Sequence, residues 1–317
     1  MPPPLAARPS PLDRALHLDA LRWAWRRVRA NKGGAGADGV TLHRFARLLD
    51  ANLLALADEV RDGGYRPGAY HRVTIFEGGK PRRLAIPPVR DRVLQRAVLD
   101  VLMPSLDRRF LPCSFGYRPG RSLHDAVERI VRLRDSGLIW VLDADIRACF
   151  DRLDHGTLRS LVAAAVPDPE MRALLDTWIA GPPPRPNRPR PTRGLPQGAV
   201  ISPLLANLYL HELDRGLTRR RYRLVRYADD FIVLCQSERH AERALRATER
   251  VLGGLKLELH PAKTRITSFE AGFDFLGVHF EGTDYTYVTD DKRIVIDTLP
   301  PEWFHYHAEG YDGRDRG

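Results

Sequence analysis

Two adjacent carboxylates, Asp229 and Asp230, sit within residues 221–235, between two apolar runs rich in strand formers. Asp is depleted from strands and a buried unpaired carboxylate is expensive, so a pair at a hairpin tip is either a solvated turn or a pair held for a cation. Neither Gly nor Asn is present to make the usual two-residue turn, and the dipeptide alone leaves both readings level. A second apolar run, beginning at Leu138, also ends in carboxylates, at Asp143, Asp145, Asp151 and Asp154. Period-2 alternation turns Asp143 and Asp145 to the same face, before a helical pattern begins near His155. A strand-end Asp beside an Asp-Asp hairpin is an oxygen-ligand site for Mg2+, with room for substrate phosphates to complete the coordination. Two such ions about 4 Å apart stabilise the attacking and leaving oxygens of an in-line phosphoryl displacement.

The elements that must position these groups are legible from periodicity. Residues 13–30 and 41–62 read as helices, and 93–110 is a strong amphipathic helix. Residues 70–75 and 82–86 read as two strands joined through the Gly78-Gly79 tip. A helix is expected over 202–217, with Ser202 as N-cap and Pro203 at its first position, and a polar-faced helix over 238–252. The order helix, strand, helix, strand hairpin, helix, strand across 120–266 fits an α+β layer with helices on one sheet face. Residues 181–193 hold six Pro and four Arg and must form an extended, polyproline-like loop, either a nucleic-acid or partner contact or a plain spacer.

Composition narrows the partners. A chain of 317 residues buries a sizeable core as one large domain or two intimate subdomains. Net charge is +10 and the sequence pI about 9.8, which points to a polyanion, most simply nucleic acid. Of the 50 basic residues 45 are Arg, suited to bidentate phosphate contacts. Coding bias accounts for part of the choice of Arg over Lys, but not for the excess over acids. From residue 270 onward the balance reverses, with eleven acidic and four basic residues. The three cysteines share no metal-ligand spacing and read as buried thiols in a reducing cytosol. No apolar stretch reaches transmembrane length and no signal peptide is evident, so the expectation is a cytoplasmic protein with no membrane association.

The motifs carry a family resemblance. Tyr-Ala-Asp-Asp at 227–230 resembles the active-site box of reverse transcriptases. Around it, residues 31–39, 79–92, 114–122, 194–207, 261–264 and 275–277 resemble the ordered blocks of the bacterial group II intron-like branch, across roughly 20–280. The resemblance implies an α+β right-hand polymerase fold of fingers and palm, with an antiparallel palm sheet carrying helices on one face. An N-terminal extension and fingers would occupy 1–120 and the palm 121–280, the two interleaving. It implies an RNA-directed DNA polymerase, a nucleotidyltransferase using two Mg2+ ions, replaceable by Mn2+, with deoxynucleoside triphosphates, an RNA template and a DNA or RNA primer.

The resemblance also assigns roles. Asp145 and Asp229 would ligate both ions with the Ile146 carbonyl, and Asp230 would play a lesser ligand role; Asp143, Asp151 and Asp154 read as structural or solvated. Lys80 and Arg82 match the cations that grip the triphosphate, with Arg83 inseparable from them. Gln197 would contact the incoming nucleotide and Tyr227 pack near the primer end. Lys263 reads equally as a general acid toward pyrophosphate or as a phosphate-neutralising charge. Phe150, five residues after Asp145, stands where such enzymes set an aromatic ring against the sugar 2′ position; as a bare residue it is equally a core Phe.

The chain also departs from the intron-encoded pattern. After Gly277 only 40 residues follow, and they are acidic, where an intron maturase would continue into a basic helical thumb. The expectation is a thumb absent or minimal, and a short acidic tail over 281–317, with a hairpin at 285–296, that either docks on a protein or folds back on its own palm. The stand-alone and the CRISPR-linked reverse transcriptases of antiviral defence, which act beside an integrase or another partner, look similar in this respect. Ala85 and Ala199 stand where the family often has Gly. Two other functions compete: a noncatalytic, maturase-like RNA-binding protein, and an RNA-dependent RNA polymerase. Intact carboxylates and Gln197 favour an enzyme, and Phe150 disfavours ribonucleotides.

Overall fold

A computed structural model describes residues 9–77, 80–183 and 189–287. In chain order the elements are α1 (Pro11–Leu16), α2 (Leu18–Ala30), α3 (Leu42–Ala46), α4 (Leu49–Arg61), β1 (His71–Glu77), β2 (Lys80–Ile86) and α5 (Val89–Asp107). Then come α6 (Leu123–Asp135), β3 (Trp140–Ala144), α7 (Cys149–Arg152), α8 (His155–Ala165), α9 (Pro169–Ala180), α10 (Ser202–Thr218), β4 (Arg223–Tyr227) and β5 (Asp230–Cys235). The last are α11 (Glu238–Gly254), β6 (Arg265–Ser268), β7 (Phe273–Phe275), β8 (Val278–Glu281) and β9 (Asp284–Tyr287). Two compact units form, neither contiguous in sequence: one from residues 1–108 and 154–205, the other from 109–153 and 206–317.

Local chemistry starts many of these helices. Ser10 with Asp13, and Ser122 with Asp125, close capping boxes on α1 and α6; Asp154, Asp168 and Ser237 accept from backbone N–H groups at the starts of α8, α9 and α11. Each such cap contributes about 1 kcal/mol. Asp154, one of the three carboxylates of that group that follow β3 in sequence, is thus a helix cap. Helix α5 begins four residues before the sequence-predicted start, directly after Pro88, and buries Val89, Val93, Leu94, Ala97 and Val98 against its unit.

In the first unit α5 packs on α1, α2, α3 and α4, and β1 and β2 form an antiparallel hairpin in the register His71↔Ile86 to Glu77↔Lys80. A buried polar chain ties the unit together. Trp178 Nε1 donates to Tyr65 Oη at 3.0 Å, Tyr65 Oη donates to Asp91 Oδ1 at 2.9 Å, and the Gly68 N–H donates to Asp91 Oδ2 at 2.7 Å. Burial still raises the Asp91 carboxyl above its ordinary range.

The second unit is built on a four-stranded sheet in the order β4-β5-β3-β6, every pair antiparallel. Helices cover both of its faces, not one. Phe231, Ile232, Val233, Leu234 and Cys235 of β5 are all buried, and successive strand residues point to opposite faces. Ile232 and Leu234 share a core with α6 and with Phe273, Phe275, Val278 and Phe280, while α11 packs on β3, β5 and β6 through Ala241, Ala244, Thr248 and Leu252. An alternating pattern predicts a half-wet sheet only when polar residues take the alternate positions, and in β5 they do not.

Strands β7, β8 and β9 make a separate three-stranded antiparallel sheet. Its β9 is the start of the hairpin expected at 285–296; the rest of that hairpin lies outside the described residues, as do 184–188 of the Pro/Arg loop. Around that gap the described loop residues form no helix, and Arg193 bridges to Asp154. Among the described residues no helix is long and apolar enough to cross a membrane.

Tyr65→Phe removes the hydroxyl that serves Asp91 and Trp178 at once. It is expected to lower stability by about 1–3 kcal/mol, the cost of leaving buried partners unsatisfied, read as a lower urea midpoint with an unchanged slope.

Candidate active site

The turn that carries Asp229 is built from its neighbours inward. β4 and β5 pair Tyr227 with Asp230, leaving Ala228 and Asp229 as a two-residue tip. Ala228 adopts φ +58° while Asp229 keeps a negative φ, the sign pattern of a type II′ turn, whose first central position usually belongs to glycine. An alanine there costs about 1–2 kcal/mol, so surrounding contacts must hold it.

Arg226 supplies them. Its guanidinium is fully buried and uses all five of its N–H donors. Nε and Nη2 reach the Asp214 carboxylate at 2.7 and 2.6 Å, Nη1 reaches Asn207 Oδ1 at 2.9 Å and the Ala228 carbonyl at 2.7 Å, and Nη2 also reaches Ser114 Oγ at 2.8 Å. Its backbone is held as well: Arg226 N–H donates to the Cys113 carbonyl at 2.8 Å, and Phe115 N–H to the Arg226 carbonyl at 2.9 Å. Gly116 completes the clamp, since a Cβ there would lie 2.4 Å from the Ala228 nitrogen, and its carbonyl accepts from Asn207 Nδ2 at 2.8 Å. Sequence reasoning missed the Arg226–Asp214 pair. The available signal was an Arg inside an apolar strand and an Asp among the apolar residues of α10.

The end of β3 meets β6 and the segment before it. Asp143 pairs with Arg265 at 3.1 Å, and Asp145 accepts from Lys263 Nζ at 2.9 Å. The Asp145 bond raises the Lys263 ammonium above its ordinary value. Beyond β3, Ile146 pairs with Leu259 in a bridge closed by His260 N–H to the Asp145 carbonyl at 2.8 Å and Arg147 N–H to the Glu258 carbonyl at 3.0 Å. That pattern leaves the Ile146 carbonyl outside the ladder. Phe150 follows in α7, 8% exposed.

These carboxylates feel one another. Asp230 reaches solvent, yet desolvation by the surrounding protein, then the charges of Asp229 and Asp145, push its carboxyl up to about 7, against the opposing pull of Lys263. Asp145, Asp229, Asp230 and Lys263 therefore share one electrostatic cluster at one end of the sheet. Lys80, Arg82 and Gln197 belong to the first unit. There the Ala85 N–H donates to the Gln197 carbonyl at 2.7 Å. Gly198, at φ +109°, lets the 194–198 segment lie against β2, where a Cβ would come within 3.0 Å of the Ala85 carbonyl.

The donor set suits a hard cation: carboxylate oxygens, a carbonyl outside the ladder, and an excess of negative charge that adds to desolvation in raising the Asp230 carboxyl. Among the described residues no three His, Cys, Asp or Glu side chains converge closely enough to hold a metal ion. Mg2+ in nucleotide-transfer sites takes one or two carboxylates together with substrate phosphates, so it does not require an all-protein cage.

A mixed α+β fold with an antiparallel sheet flanked by helices, and acidic groups gathered at one sheet end, is the architecture of a nucleotidyltransferase. The family model for Reverse transcriptase (RNA-dependent DNA polymerase) matches residues 77–280. The chain belongs to this reverse transcriptase family, in its group II intron-like branch, whose chemistry is RNA-directed DNA synthesis. It is 32% identical over 320 residues to Protein YkfC of Escherichia coli (strain K12), covering 87% of this chain and 83% of that protein. It is 32% identical over 230 residues to the Group II intron-encoded protein LtrA of Lactococcus lactis subsp. cremoris, covering 72% of this chain and 38% of LtrA. A chain of the partial Cas6-RT-Cas1--Cas2 complex shares 29% identity at a TM-score of 0.46, over 77% of this chain and 41% of that one. The chain thus spans less than half the length of LtrA and of the chain in that complex.

Asp214→Leu strands the Arg226 charge in the core and is expected to cost about 3–5 kcal/mol. Adding Arg226→Met should recover a large part of it in urea unfolding. A double variant no more stable than Asp214→Leu alone would show that Arg226 holds the turn through its other three bonds.

Proposed function

We propose that the chain copies RNA into DNA, adding deoxynucleoside triphosphates to a DNA or RNA primer, with residues 1–120 contributing the fingers and 121–280 the palm. The observation that carries this reading is the shared field of Asp145, Asp229, Asp230 and Lys263 in a member of the reverse transcriptase family. Asp145, Asp229 and the Ile146 carbonyl would hold two Mg2+ ions, with Asp230 in a lesser role. Bound there, the ions would supply charge to the attacking and leaving oxygens of the transfer. Lys263 neutralises Asp145 until substrate phosphate arrives, and its ammonium is then free to meet that phosphate. Lys80 and Arg82 neutralise the triphosphate from β2, and Gln197, whose backbone lies beside Ala85 on the same strand, positions the nucleotide. Phe150 excludes the ribose 2′-hydroxyl sterically. The acidic 281–317 segment is proposed to meet a protein partner, an integrase among them; its residues from 288 lie outside the described residues.

Asp229→Asn is expected to abolish primer extension with Mg2+, by at least about 1000-fold on the scale of a lost charge-stabilising group. RNA binding should stay nearly intact, because it rests on arginines. Retained extension by the double variant Asp145→Asn, Asp229→Asn would overturn the assignment.

Phe150→Val should raise ribonucleotide incorporation relative to deoxynucleotides by removing a steric clash, about 10-fold or more for one lost contact. An unchanged sugar preference in single-nucleotide extension assigns Phe150 to core packing alone.

A further inference from the structure

The candidate carboxylate cluster sits at the turn end of the β4–β5 hairpin, while β4 opens on an exposed arginine and α11, which follows β5, carries a basic row along its outer side. Four arginines of α11, Arg239, Arg243, Arg246 and Arg250, are all exposed. Spaced by 4, 3 and 4 residues, they fall within about 60° of one another around the helix and span about 16 Å along it. The apolar side of α11 is spent on the sheet: Ala241, Ala244, Ala247 and Leu252 are buried. Glu238, Glu242 and Glu249 form a separate row beside the arginines, and the one ion pair across the two rows among the described residues is Glu242 to Arg246, at 3.9 Å. No carboxylate of the described residues is paired with Arg239, Arg243 or Arg250.

The stripe continues past the helix. Tyr222 packs its ring on His240 at a centroid distance of 5.4 Å, which joins the turn after α10, with exposed Arg219, Arg220 and Arg221, to the first turn of α11. Arg223, exposed as well, opens β4 opposite Leu234. Among the described residues the side-chain contacts of these arginines stay within their own helix or turn, Arg250 Nε to the Arg246 carbonyl at 3.2 Å and Arg220 Nη1 to the Gly216 carbonyl at 2.7 Å, and such exposed local contacts add little stability.

We propose that this arginine track is a second nucleic-acid contact, gripping the phosphate backbone of a folded RNA outside the segment being copied. The proposal rests on the RNA-copying reading for the identity of the polyanion, and goes beyond it in placing a binding surface away from the carboxylates. A row of guanidinium groups meets phosphates bidentately, whereas single-strand binders interleave stacking aromatics; Arg239 through Arg250 have no Phe, Tyr or Trp between them, and the one imidazole there, His240, is half-buried with its ring already packed on Tyr222. Recognition there is of backbone and shape, not of base edges.

The test replaces Arg239, Arg243, Arg246 and Arg250 together with Gln, and separately with Lys, in the full chain. Affinity for a long RNA hairpin is measured across a salt series, alongside extension of a short template–primer. The Gln variant is expected to bind the hairpin at least about 10-fold more weakly at low salt, and to lose about 3 from the slope of log affinity on log salt. The Lys variant should keep most of both, and short-primer extension should be unchanged in each. Equal loss for RNA and DNA hairpins of one sequence supports a backbone contact. Unchanged hairpin affinity and slope in the Gln variant overturns the proposal and leaves an acidic protein as the occupant; equal loss in the Lys variant, with reduced extension, overturns it in favour of a structural role. Absence of extension by the unaltered chain would sink the polymerase reading alone, since hairpin binding is read separately.

Discussion

The buried Arg226 guanidinium is the constraint on which the catalytic end of the sheet depends. A buried ion pair is weak evidence for stability, because well-packed apolar residues of similar volume often do as well. What apolar residues lack is direction. Five donors fixed in one plane reach Asp214, Asn207, Ser114 and the Ala228 carbonyl, so α10, the 113–116 segment and the hairpin tip have one mutual arrangement that satisfies them all. The left-handed Ala228 is tolerated because its carbonyl belongs to that arrangement. Position of the neighbouring Asp229 is therefore set by a network with no acidic residue of the reactive cluster in it.

This separation of support from chemistry has an electrostatic reason. Desolvation first, and then the charges of Asp229 and Asp145, raise the Asp230 carboxyl, so the folded chain holds these carboxylates together against both burial and mutual repulsion. A cluster of this kind stabilises nothing by itself. It must be carried by a frame whose own polar groups are fully satisfied, and the β5 strand, buried on both faces, with Arg226 beside it, is such a frame. Lys263 relieves part of the repulsion from the exposed side, where a mobile ammonium can exchange one anionic partner for another.

Much of this was legible in the sequence, for identifiable reasons. The strand ending at Asp145 and the hairpin at 227–230 announce themselves because acidic residues interrupt apolar runs, and the helices because their apolar spacing is regular and their caps are Ser or Asp. Helix α5 started early because Pro88 can stand at an N-cap, a position that periodicity does not register. The double-sided cover of the sheet was misread because helices were assigned to a face by their order in the chain, while β5 itself reads as five buried positions in succession, the pattern of a strand covered twice. Among the candidate site residues, Asp145, Asp229 and Asp230 stand out by type and spacing, whereas Lys263 stands out only through the family resemblance. Arg226 does not, since its partners lie 12, 19 and 112 residues away and no local pattern encodes a contact of that range.

Charge is also sorted along the strands. β4 runs from Arg223 to Tyr227, about 13 Å at strand rise, with exposed arginine at its start and the Asp229 turn just past its end. A polyanion drawn to the middle of a uniformly basic surface would find no place for a carboxylate cluster, and one drawn to the cluster itself would be repelled. On the proposed reading, an arginine surface held apart from the turn would let long-range attraction act on the bulk of a nucleic acid while the carboxylates meet the reacting phosphates, with Lys263 beside them. The arginines that do stand near the turn end are committed elsewhere, Arg226 to Asp214 and Arg265 to Asp143.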